Sequence, residues 1–221
     1  GWSGHQVEII KQYVQEDPVD FIWIQEHWRM RAPRRVRAPG YQWLGKYRSV
    51  NDLHPNACRG HGGVACLVRE ELGAEVVEDR GDADTLWVRY KDCEGRDVYT
   101  ANVYLSPPGG KRSPRQIKTT LDQLGKDVQE LSQEHRVIVV GDFNAHTACY
   151  GGEGEERLSK DTLLDNRGIQ LLEWLAQTGC VILNGAGVQS MDYTLWANKG
   201  EKKSVVDYVI VPRHQVQGVR S

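Results

Sequence analysis

The stretch Val137-Ile138-Val139-Val140-Gly141-Asp142-Phe143-Asn144-Ala145-His146 decides how this chain is read. Four consecutive β-branched residues describe a short central strand, and Gly141 and Asp142 sit where it ends. The tight turn that follows presents a carboxylate and a carboxamide two residues apart, on one side of an extended chain. Such a pair holds a water by the acid and a phosphate oxygen by the amide. A lone Asp at a strand end ordinarily caps an element, so the neighbours must carry the argument.

Upstream, Ser113 and Pro114 open a helix whose residues Ile117, Leu121, Leu124, Val128 and Leu131 form one stripe at helical spacing. Val64 to Val68, Thr85 to Tyr90 and Val98 to Leu105 read as strands. So does Val19 to Gln25, apolar on both faces and ending at Glu26. Ser3 with Gln6 reads as a capping box opening a helix that faces inward through Val7, Ile10 and Val14. Downstream, Leu171, Leu172 and Leu175 mark a helix stopped at Gly179, followed by a strand from Val181 to Leu183. Tyr193 to Trp196 and Ser204 to Val211 read as two strands of a hairpin joined by Ala197 to Lys203. On an alternating pattern Asp207 shares a face with Val205, Val209 and Val211. Its carboxylate then points into an apolar layer and needs a histidine or a cation as partner.

A chain of 221 residues, 39% hydrophobic and 26% charged, suits one large soluble domain. Five cysteines without a CxxC pair argue against zinc and against a disulfide framework. The net charge of -2 hides a segregated distribution. Arg29 to Val50 holds seven basic residues and no acidic one, interleaved with Tyr41, Trp43 and Tyr47, whereas Glu70 to Asp84 is acidic. Lys111, Arg112, Arg115 and Lys118 form a second basic cluster, just after the Tyr104 strand.

Trp23-Ile24-Gln25-Glu26, Asn102-Val103-Tyr104, Gly141 to His146 and Ser204-Val205-Val206-Asp207-Tyr208 together resemble, in order, the conserved strands of the endonuclease/exonuclease/phosphatase superfamily. The histidine after Asn144, the Asn166 to Gly168 turn, Leu183 with Asn184, and Tyr193 to Trp196 are similar to its non-LTR retrotransposon branch. The resemblance implies a DNase I-like fold: a four-layered α/β sandwich of two packed, mostly antiparallel β-sheets flanked by helices. It implies a single domain over residues 1–221 that lacks the first strand, with its asparagine, and the last strand, with its Asp-His pair, as a fragment of a longer parent would.

Residue by residue, the resemblance implies that Glu26 binds the metal (Mg2+, with Mn2+ also accepted), Tyr104 contacts the scissile phosphate, Asp142 orients or activates water, and Asn144 bonds the phosphate. Asp207 is to pair with a catalytic histidine, a role for which His214, in the loop leaving that strand, is a poor substitute. Thr194 and Ser204 support the site; Lys199, Lys202 and Lys203 meet the substrate from a hairpin laid into a DNA groove, and the basic cluster after the Tyr104 strand adds Arg112 by its position. The implied activity is nicking of double-stranded DNA in the nucleus, giving a 3′ hydroxyl for a reverse transcriptase domain of the parent. The alternatives are an abasic-site repair nuclease, a phosphatase, or an inactive binding domain of the same fold.

Overall fold

The computed structural model describes residues 19–27, 38–47, 62–110, 112–186, 193–197 and 202–219. The expected N-terminal helix, most of the Arg29 to Arg48 run, Lys111 and Lys199 lie outside them. The chain divides into two compact units, Gly1–Tyr104 and Leu105–Ser221.

In the first unit, β1 (Phe21–Gln25), β2 (Tyr41–Lys46) and β3 (Val64–Arg69) make an antiparallel sheet ordered β1-β3-β2. The central strand β3 is buried from Val64 to Val68. The strand expected to be covered on both faces, β1, does pack both ways: Phe21 and Trp23 lie against one apolar cluster, Ile22 and Ile24 against another. Only Ile24 is fully buried, because among the described residues β1 pairs with β3 alone and is an edge. A second antiparallel run, β4 (Glu75–Val76), β5 (Thr85–Lys91) and β6 (Asp97–Tyr104), completes the unit. Asn102 is fully buried in β6. It donates to the Ile24 and Ala65 carbonyls at 3.0 and 2.9 Å and accepts from Gln25 Nε2 at 2.6 Å, which fixes the end of β1.

The second unit holds the two long helices of the described residues. α1 (Pro114–Leu131) begins with a complete capping box between Ser113 and Gln116, and its whole expected stripe is buried. α2 (Asn166–Thr178) is capped by Asp165 and ends at Gly179 in the left-handed conformation. Trp174 on α2 donates to the Leu121 carbonyl at 2.8 Å, joining the two helices. The sheet of this unit runs β10 (Cys180–Ile182), β13 (Asp207–Pro212), β7 (Arg136–Asp142), all antiparallel; β8 (Tyr150–Gly152) and β9 (Glu155–Glu156) form a small ribbon.

One expectation is corrected by the strand pairing. Ser204 to Val211 is not one strand: β12 (Lys202–Ser204) pairs with β11 (Leu195–Ala197), whereas β13 belongs to another sheet. The break falls at Val205 and Val206, whose amides are taken by the Asp161 carboxylate and the Thr194 hydroxyl instead of a ladder. Of the residues expected to share a face with Asp207, Val205 and Val211 are buried and Val209 is 37% exposed, and burial acts on the Asp207 carboxyl itself.

Candidate active site

Among the described residues three that are not glycine have positive φ, Glu26 (51°), Asn144 (45°) and Ala148 (49°), and the first two are candidate site residues. The left-handed region costs an L-residue roughly 1–2 kcal/mol and is held only where surroundings over-determine it. At Glu26 those surroundings are Asn102, gripping the preceding residues, and His27. The His27 ring is buried, donating to the Lys46 carbonyl at 3.0 Å and packed on Trp43 and Tyr47. A Cβ on Gly63 would come within 2.4 Å of that ring, so His27 fits only against glycine. Glu26 itself is exposed, and Tyr104, 5% exposed, donates its hydroxyl to Glu26 Oε1 at 2.7 Å.

In the second unit, Asp142 and Asp207 are register partners on adjacent antiparallel strands, so their side chains lie side by side on one face. Two neighbouring carboxylates raise the local negative potential and favour a proton or a cation between them. Burial pushes the Asp207 carboxyl above its ordinary range, opposed by a hydrogen bond from Thr194. Thr194, not a histidine, is thus its side-chain neighbour among the described residues. The same threonine hydroxyl accepts from the Val206 and Asp207 amides at 3.1 and 3.2 Å, and the Thr194 amide donates to the Ser204 carbonyl at 2.9 Å. His214 lies at the far end of β13, its ring bonded to the Ser132 carbonyl after α1.

Past Asp142 the chain is not extended, as expected, but folds back. The Asn144 amide donates to Asp142 Oδ1 at 2.9 Å, and Asn144 Nδ2 donates to the Leu105 carbonyl at 2.8 Å. The carboxamide is thereby oriented, with a second N–H left for an anion. Behind this turn stands a buried framework that joins the motif residues Tyr208 and Asn184 to Arg157, which no sequence pattern marks. Arg157, 4% exposed, donates to Thr147 Oγ1 and the Ala148 carbonyl, both at 2.9 Å, and lies 5.2 Å from the centre of the Tyr208 ring. The Tyr208 hydroxyl sits 2.7 Å from the carbonyl oxygens of Ala145 and Val205. Asn184 accepts from the Val209 amide at 2.6 Å and donates to the Asp207 carbonyl at 3.2 Å, which explains why Asn184 stands in the motif set.

The substrate candidates fare unevenly. Arg112 is half-buried beside the cap of α1, and Lys118 is drawn off into a 2.8 Å pair with Asp122. Lys203 is exposed, with Nζ 5.6 Å from the centre of the Tyr193 ring, and Lys202 lies in β12 beside it. Tyr41 is buried with its hydroxyl on the Val19 carbonyl, and Trp43 donates to the Tyr47 hydroxyl at 2.7 Å, so these aromatics serve packing.

The family model described as "Endonuclease/Exonuclease/phosphatase family" matches residues 2–219. The chain belongs to the endonuclease/exonuclease/phosphatase family. Among solved structures it is similar to the endonuclease domain of TRAS1, a telomere-specific non-LTR retrotransposon, with 19% identity over 96% of this chain and 80% of that one, and a TM-score of 0.66. It is likewise similar to the 3'-5' exonuclease NExo from Neisseria meningitidis (16% identity, 96% and 84% covered, TM-score 0.67). A third is the human Nocturnin catalytic domain (15%, 96% and 76%, 0.61). These likenesses show the fold, the mixed α/β class of β-sheets flanked by helices that the motifs imply.

Proposed function

We propose that this member of the family is a metal-dependent phosphodiesterase that nicks double-stranded DNA and leaves a 3′ hydroxyl. The observation that carries this reading is the pairing of Asp142 with Asp207, beside an Asn144 locked in the left-handed conformation. Asp142 takes the proton of an attacking water, and the free N–H of Asn144 holds a phosphate oxygen. Tyr104 transfers its hydroxyl hydrogen bond from Glu26 toward phosphate.

A hard, exposed carboxylate at Glu26 fits Mg2+ or Mn2+, which take one or two carboxylates and fill the remaining positions with water and phosphate. Among the described residues no three His, Cys, Asp or Glu side chains come together as a group that could hold a metal ion. Bound at Glu26, the ion would supply positive charge against that developing on the phosphate and leaving oxygen. Arg112 and the lysines of the 197–203 hairpin contact backbone phosphates. The likeness to a retrotransposon endonuclease supports a parent protein that carries a reverse transcriptase and works in the nucleus, where the free 3′ hydroxyl primes synthesis.

The test is relaxation of supercoiled plasmid with Mg2+, with EDTA, and by Asp142→Ala, using this chain and a version extended at both ends. Nicking that needs Mg2+ and falls at least about 100-fold in Asp142→Ala is expected. No nicking by either form would overturn the reading. Cleavage of abasic duplex far faster than of intact plasmid would move the activity to repair.

A further inference from the structure

Asp161 lies in the irregular segment between β9 and α2, is 7% exposed, and carries none of the motifs. Its carboxylate nevertheless accepts three hydrogen bonds. Oδ2 takes His146 Nδ1 at 2.8 Å and the Val205 amide at 2.9 Å, and Oδ1 takes the Leu163 amide at 3.0 Å. His146 is two residues past Asn144, and Val205 is two residues before Asp207. One carboxylate oxygen therefore ties the turn that orients the carboxamide to the crossover that launches β13.

We propose that Asp161 is a positioning residue for phosphodiester cleavage, holding Asn144 and Asp207 in mutual register through His146 and the Val205 amide. The inference rests on the function proposed above. Two features favour positioning over ordinary loop packing. First, the amides of the crossover at Val205 and Val206 are taken by side chains, Asp161 and Thr194, and Tyr208 bonds the Val205 carbonyl, so beyond the Phe143 amide on the Val206 carbonyl its path is set by side chains. Second, side chains stitch the same two segments twice more. Tyr208 joins the Ala145 and Val205 carbonyls, and Asp161 joins the neighbouring His146 and Val205 donors. Donors on one side and acceptors on the other leave little freedom to slide. Asn at this position keeps one oxygen for His146 and Val205 but turns its NH2 toward the Leu163 amide; Ala loses all three bonds.

The test compares Asp161→Ala, Asp161→Asn and His146→Asn for plasmid nicking and for amide hydrogen exchange across the chain. Displacement of catalytic groups by about 1 Å costs on the order of 100-fold in rate, so Asp161→Ala should lower kcat by roughly 30- to 100-fold with KM within about threefold. Asp161→Asn should recover most of that loss. Exchange in Asp161→Ala should rise in segments 142–147 and 204–208, with β1, β3 and β5 unchanged. Undiminished kcat, a change in KM alone, or exchange rising throughout the chain would overturn the proposal. If the wild-type chain nicks nothing, the proposed function falls by itself, and the exchange pattern still decides whether Asp161 holds these two segments.

Discussion

Asp207 and Asp161 are both carboxylates removed from water, and they titrate in opposite directions. Asp161 is desolvated too, but hydrogen bonds from Val205, Leu163 and the His146 imidazole hold it below its ordinary range. Asp207 has Thr194 alone and is pushed up. The linkage signs follow. A carboxyl raised in the fold contributes stability that is complete below its unfolded pKa and is lost as pH rises through the folded one; a depressed carboxyl contributes stability above its unfolded pKa that is lost as pH falls through the folded one. At neutral pH, charged Asp207 is therefore a cost to the fold. Asp207→Asn should unfold at a higher urea concentration than wild type at pH 7, with the gap closing as pH falls through the carboxylate range, while plasmid nicking declines. A gap that is constant with pH would refute the account. Stability gained at the expense of activity is the pattern of a functional position.

At the scale of the element, α2 is docked onto the Asn144 turn by its first residues. Asp165 Oδ1 accepts from the Gly168 amide at 2.6 Å and from the His146 amide at 3.2 Å, and the Asp165 amide donates to the His146 carbonyl at 3.2 Å. A Cβ on Gly168 would stand 1.7 Å from the His146 oxygen, a backbone atom that cannot rotate away. Gly168→Ala should therefore cost about 3 kcal/mol in urea denaturation, although alanine is the better helix former. A loss below about 0.5 kcal/mol would show that helix and turn separate freely. α2 itself was plain in the sequence from its leucine stripe and terminal Gly179, because helical periodicity is a local property. The docking was not, because its key contact joins residues 146 and 168 through a backbone carbonyl.

For the whole molecule, a net charge of -2 means that the proposed binding to DNA would have to come from local basic segments. Lys202 and Lys203 lie on β12, which pairs with β11. Each phosphate neutralised contributes about -0.9 to the slope of log K against log salt. Replacing Lys199, Lys202 and Lys203 by Ala should make that slope shallower by roughly 2 to 3 in a duplex-binding titration, and an unchanged slope would remove the hairpin from the interface. Among the described residues no helix is long and apolar enough to cross a membrane.

What the sequence determined by itself is the set of elements and the chemistry offered at their ends. β3, β5, β6, β7, α1 and α2 follow from periodicity and caps, and Glu26, Tyr104, Asp142, Asn144 and Asp207 stand out as polar residues in apolar or motif settings. The tertiary structure decided what surrounds them. It split the last long strand at Val205, placed Thr194 beside Asp207, packed His27 behind Glu26, and brought in Asp161 and Arg157 from segments without pattern. The physical reason is that a strand or helix repeats along the chain and can be read there, whereas a buried polar group is satisfied by whichever donor or acceptor the fold carries to it. Asp161 and Val205 are 44 positions apart, and only the folded chain makes them neighbours.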